Sequence, residues 1–164
     1  GLYVAVRFHT YKLGVGATVA ALHDPIIVVG YFSILGLTFD LPALAAVLAV
    51  IGYSLNDTVV VFDRIRENFE KSRRGAPLDV VDASISQTLS RTTITSGATF
   101  FVVLMLFLFG GEALKGFSTA LLVGIIVGTY SSIYIASALA LELGLTVNDI
   151  FPVRKSADEL DKMP

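Results

Sequence analysis

Cysteine is absent from the 164 residues, which excludes disulfides, thiolate metal sites and cysteine nucleophiles. Charge is scarce as well. Only 16% of the residues are Asp, Glu, Lys or Arg, against about a quarter in a soluble domain. The chain has no HExxH, no GxSxG and no glycine-rich phosphate loop. Neither Asp24 nor Asp57 stands in the Gly-x-Gly-Asp setting of intramembrane aspartyl proteases. An enzyme is therefore not expected, and neither is a cofactor or metal. The first residues, Gly-Leu-Tyr-Val-Ala-Val-Arg, lack the basic start of a signal peptide.

What the chain has is long apolar runs. Thr92 to Gly111 is 20 residues without a charge, and Gly116 to Leu141 is 26. Leu13 to Phe39 is interrupted only by His23-Asp24, and Leu41 to Phe62 only by Asp57. A bilayer core takes about 20 apolar residues per helix. The pattern predicts an all-α polytopic membrane protein with four complete transmembrane helices, at 16–36 (A), 41–63 (B), 92–109 (C) and 117–143 (D). Residues 1–8 read as the end of a further helix, so the chain is expected to be part of a longer protein. Asp40-Leu41-Pro42 supplies a cap and a first-turn proline for B. Pro25 predicts a kink in A beside Asp24.

Lysine and arginine alternate between the two sides. Arg7 and Lys12 precede A, six basic residues from Arg64 to Arg91 lie between B and C, and Arg154, Lys155 and Lys162 follow D. The opposite loops hold a single lysine, Lys115. The positive-inside rule places the basic loops and the tail, 144–164, in the cytoplasm. These basic residues are explained by topology, and nucleic-acid binding is not expected. Within the loop at 64–90, Leu78, Val81, Ile85 and Leu89 form one apolar face. That predicts a short amphipathic helix over 77–89, either on the membrane surface or as an ordinary loop helix.

Four features bear on chemistry. Asp57 lies about 24 Å along helix B from Leu41, at 1.5 Å per residue. Ser54, Asn56 and Thr58 stand beside it. An ionised carboxylate at that depth costs about 2.5–3.5 kcal/mol, so it should face the bundle interior and have a partner. Burial disfavours its charged form and a nearby cation favours it, so it is suited to taking up and releasing a proton. A plain packing contact is the alternative. Arg91 is the candidate partner, opening a polar run with Thr92 and Thr95. Arg91, Thr95 and Thr99 share a stripe, although an arginine at a helix end also snorkels and sets topology. His23-Asp24 is a second ionisable site at similar depth, or a cap for the helix resuming at Pro25. In D, Ala120, Gly124, Gly128, Ser132, Ala136 and Ala140 recur every four residues, a stripe for close helix packing.

The block from Ser54 to Asn68, SLNDTVVVFDRIREN, resembles the SecF subunits of bacterial protein export, or the SecF half of fused SecDF proteins. Ser86 to Thr92, Ala21 to Asp24 and Val123 to Ser132 match that family too. The resemblance implies the C-terminal part of a six-helix half of a pseudo-symmetric twelve-helix unit of the resistance–nodulation–division superfamily. It implies a proton-driven accessory of the SecYEG channel in the inner membrane, partnered by SecD and acting on preproteins. Asp57 and Arg91 fall on positions that family uses for its intramembrane charged pair. Two other readings stay open: a scaffold holding SecD and the channel together, and a small-molecule exporter of the same superfamily.

Overall fold

The computed structural model describes residues 11–72 and 76–145. Among them there is no strand. The helices are α1 (Tyr11–Ile34), α2 (Leu41–Lys71), α3 (Pro77–Phe109), α4 (Glu112–Tyr130) and α5 (Ala136–Glu142). A π-helical turn, Ser131–Ile135, joins α4 to α5, so the two form one rod. Four rods are long and apolar enough to cross a bilayer, as the hydrophobic runs predict. The expected helix end at 1–8 and most of the tail at 144–164, with Arg154, Lys155 and Lys162, lie outside the described residues.

The boundaries follow local chemistry more than hydropathy. Helix α1 is already helical at Tyr11, the first described residue and five before the expected 16, and runs through Pro25 unbroken. Its end is set by Gly36, whose positive φ of 62° allows Leu37 N–H to donate back to the Phe32 carbonyl. Asp40 caps α2 by accepting from Ala43 N–H at 2.8 Å, with Pro42 in the first turn. Gly110-Gly111 turns α3 into α4, with φ +73° at Gly111, so α4 begins at Glu112 where 117 was expected. The stretch Glu112–Phe117 is helical although it carries Glu112 and Lys115, which pair across one turn.

The largest difference lies between α2 and α3. Helix α2 continues past residue 63 to Lys71, and residues 77–89 are the first turns of α3 rather than a separate amphipathic helix. At 31 and 33 residues, α2 and α3 are each about 46–50 Å long, well beyond a hydrocarbon core of about 30 Å. The projecting ends pack on each other. Val80 and Val81 bury with Ile65 and Phe69, and Asn68 donates to Ser84 Oγ at 2.8 Å and to Gln87 Oε1 at 3.1 Å. No glycine or proline separates 78 from 96, so nothing stops the helix. Of the expected apolar face, Val81 is buried and Ile85 partly so, while Leu78 and Leu89 are exposed.

Helix α2 packs against α1, α3, α4 and the π-helical turn, and is the centre of the bundle. Two apolar clusters sit at its ends. One gathers Leu13, Ala17, Val61, Phe62, Ile65 and Phe69 with Ala136 and Ala140. The other holds Val28, Phe32, Ala43, Ala46, Val47 and Ala120. Close approaches between backbones lock the bundle. A Cβ on Gly16 would fall 2.7 Å from the Ala136 carbonyl oxygen, so α1 and α5 meet nearly backbone to backbone. Many large apolar side chains remain exposed, Ile26, Leu48, Phe101 and Val102 among them. Apolar surface on that scale belongs in lipid or against a partner helix. The protein is a multi-pass membrane protein.

Candidate functional site

Between the two apolar clusters, at the middle of the rods, the interior turns polar. Asp24, Ser54, Asp57, Thr58, Ser96, Ser131 and Ser132 are all buried. Buried polar groups are expensive unless paired, so a cluster of them inside an apolar bundle is a candidate functional site.

Asp57 sits on α2, 4% exposed, and its Oδ2 has no hydrogen-bond partner. Arg91 is exposed on α3. The two form no ion pair among the described residues, although they stand on α2 and α3, which pack against each other. Arg91 instead lines an open cleft of about 360 Å³ with Val60, Asp63, Arg64, Glu67, Gln87 and Thr88. The cleft runs between the projecting ends of α2 and α3.

The hydroxyls around this pair differ from the expected set. Thr92 is buried, but Thr95 is exposed, and the Thr95 and Thr99 hydroxyls only donate back to the carbonyls of Arg91 and Thr95. Asn56 is exposed too. The buried ladder of α3 is one position over: Ser84, Thr88, Thr92 and Ser96 repeat every four residues and all face inward. Ser96 ends it in a hydroxyl chain that spans three helices. Tyr53 of α2 donates to Ser96 Oγ at 2.8 Å, Ser96 and Thr129 hydroxyls stand 2.8 Å apart, and Thr129 Oγ1 donates to the Ile125 carbonyl at 2.7 Å. With one proton per hydroxyl the chain has one consistent direction, Tyr53 to Ser96 to Thr129. Asp57 stands one turn further along α2 from Tyr53. The period of four was present in the sequence at 84, 88, 92 and 96; what hid it was the more conspicuous Arg91–Thr95–Thr99 stripe.

Removing the shared partner tests the chain. Ser96→Ala takes away the hydroxyl that accepts from the part-buried Tyr53 and links it to Thr129, and losing such a bond costs about 1 kcal/mol. Tyr53→Phe in the same background should recover part of that loss. Thermal unfolding of the two single variants and the double variant measures it.

Asp24 forms the other half of the cluster. It is fully buried on α1, and its Oδ1 lies 3.1 Å from His23 Nδ1. His23 is about one-third exposed, so the pair runs from the bundle surface inward. Gly128 of α4 makes room for it: a Cβ there would lie 3.4 Å from Ser54 Cβ and 3.5 Å from Asp24 Oδ2. One turn earlier, Gly124 faces Val50 so closely that any Cβ would overlap the Val50 methyls. Val50 and Ser54 of α2 thus seat in the groove of Gly124 and Gly128 of α4. Ser132, next in the stripe, is buried and its hydroxyl donates to the Thr129 carbonyl.

The family model for the C-terminal part of the protein export membrane proteins SecD and SecF matches residues 1–146. The chain belongs to the SecD/SecF family. It is 59% identical to the protein translocase subunit SecF of Vibrio alginolyticus over 165 aligned positions, covering 99% of this chain and 52% of that one. To the SecF of Escherichia coli O157:H7 it is 54% identical over 144 positions, covering 88% of this chain and 44% of the other. The chain spans about half the length of the curated relatives it matches. Among solved structures it is similar to SecDF of Thermus thermophilus, described as a translocon-associated membrane protein. That match has a TM-score of 0.82 and 49% identity, over 87% of this chain and 20% of the other. Within the SecD/SecF family, the sequence therefore falls with SecF and the SecF half of SecDF.

Proposed function

We propose that this chain is the part of a Sec translocase membrane component that couples the proton motive force to protein export through SecYEG, with Asp57 and Arg91 as the coupling pair. What supports the reading above all is Asp57 itself: a carboxylate buried at the middle of a membrane bundle, one oxygen unpaired, on a helix packed against the one that carries Arg91. Such a group changes its interactions with the neighbouring helix each time it gains or loses a proton. The cleft lined by Arg91 opens at the basic end of the bundle and gives that proton a polar way out. His23-Asp24 would serve the same traffic from the α1 side.

Moving one charge across a membrane yields about 2.3 kcal/mol per 100 mV, enough to bias a two-state helix arrangement by a factor of tens. SecD would supply the other half of the path, and preproteins the load. The distribution of lysine and arginine supports cytoplasmic basic loops in the bacterial inner membrane. The test is proton flux and preprotein translocation by the intact SecD–SecF complex carrying Asp57→Asn or Arg91→Met. Both variants should lose proton-driven translocation; retention by both would sink the reading.

A scaffold role is favoured by one observation. Helix α3 is the least buried of the four, and its exposed surface carries Ser90, Thr93, Thr95 and Gly97, small and polar residues of the kind that pack against another helix. The same complex separates the two readings: a scaffold tolerates Asp57→Asn with export intact.

A further inference from the structure

Asp24 Oδ2 and Ser54 Oγ are both buried and neither has a hydrogen-bond partner in the protein. They belong to different helices, α1 and α2, yet both lie beside the same point on α4. A Cβ built on Gly128 would be 3.5 Å from Asp24 Oδ2 and 3.8 Å from Ser54 Oγ. Thr58 Oγ1 and Asp57 Oδ2, about one turn further along α2, are buried and unpartnered as well. A carboxylate oxygen at zero exposure needs a donor if ionised, and an acceptor for its proton if neutral. Buried water meets that need in proteins, bonding to groups that have no other partner, and it requires two or more polar neighbours.

We infer that Asp24 and Ser54, over the notch left by Gly128, form a binding site for an ordered water that links the His23–Asp24 pair to the polar face of α2. Glycine at 128 then has a chemical reason beyond close packing: any side chain would take the water's place. That the water carries protons rests on the function proposed above; that it is bound does not.

Two substitutions at Gly128 test the site in the full SecD–SecF complex. Packing alone tolerates Gly128→Ala, since its Cβ would make ordinary van der Waals contacts, and alanine favours the helix. A water site predicts the reverse. The alanine methyl displaces the water and strands both oxygens, lowering the melting temperature of the complex. Gly128→Ser restores a hydroxyl within reach of both oxygens and should regain most of that shift, despite being the larger residue. Proton-driven translocation should follow the same order. Alanine equal to or better than glycine, or serine no better than alanine, overturns the proposal. So does a map of the complex that resolves waters and shows Asp24 bonded directly to Ser54. Asp57→Asn serves as the separate control: if it leaves export untouched, the proton reading fails while the water site still stands or falls on the melting temperatures.

Discussion

Gly124→Leu is expected to prevent α2 and α4 from closing on each other, so that the intact SecD–SecF complex is not recovered from membranes. Val50 leaves no room for even a Cβ at this position, and valine, branched at Cβ, cannot rotate its methyls out of the way. Overpacking by one or two methylenes costs about 1–3 kcal/mol, and leucine adds four carbons to a groove where the helices touch. The loss should be specific to the groove. Gly124→Ala should destabilise measurably, and Val50→Ala should relieve it, giving a favourable coupling in a double-mutant cycle of thermal unfolding. If Gly124→Leu yields normal amounts of complex with an unchanged melting temperature, α2 and α4 are not packed as described.

Asp57→Asn should act in the opposite manner, removing function while sparing the fold. The asparagine keeps the size and polarity of the side chain but cannot exchange a proton. Because Asp57 Oδ2 has no partner, the native carboxylate is paying a desolvation cost without a matching hydrogen bond. The variant should therefore be as stable as the parent or more so, by about 1 kcal/mol. Proton-driven translocation should drop to the level seen without the complex. Arg91→Met should give the same functional loss, and adding it to Asp57→Asn should cause little further change, as the proposed coupling pair requires. Two independent partial losses that add would show that the residues work separately.

Hydropathy and length revealed four spans, and the SLND block carried the family. Helix ends were less readable, for a physical reason. Hydropathy reports where lipid begins, whereas the helices of α2 and α3 extend through water on hydrogen bonds such as Asn68 to Ser84 and on paired charges such as Glu67 with Arg64 and Lys71. Asp57 and Asp24 stood out because an isolated acid in an apolar run has few explanations. Tyr53, Ser96 and Thr129 did not, because hydroxyls are common in membrane helices and only their meeting across three rods gives them weight. Which helical face points inward also depends on the neighbours: Thr92 and Thr95 lie three residues apart, and one is buried while the other is bare.

The π-helical turn at Ser131–Ile135 explains how the small-residue stripe keeps its place. In a straight α-helix a four-residue step overshoots a full turn by about 40°, so the four steps from Gly124 to Ala140 would drift by about 160°. Ala140 would then point away from the bundle. The wider turn, closed by i+5 bonds such as Ala136 N–H to the Ser131 carbonyl, holds more residues per revolution and cancels part of that drift. Gly124 and Gly128 thus serve α2 while Ala136 and Ala140 still reach the interior and meet α1. A repeat of four sustained for this long is, in effect, the written record of a helix that must unwind once along its length.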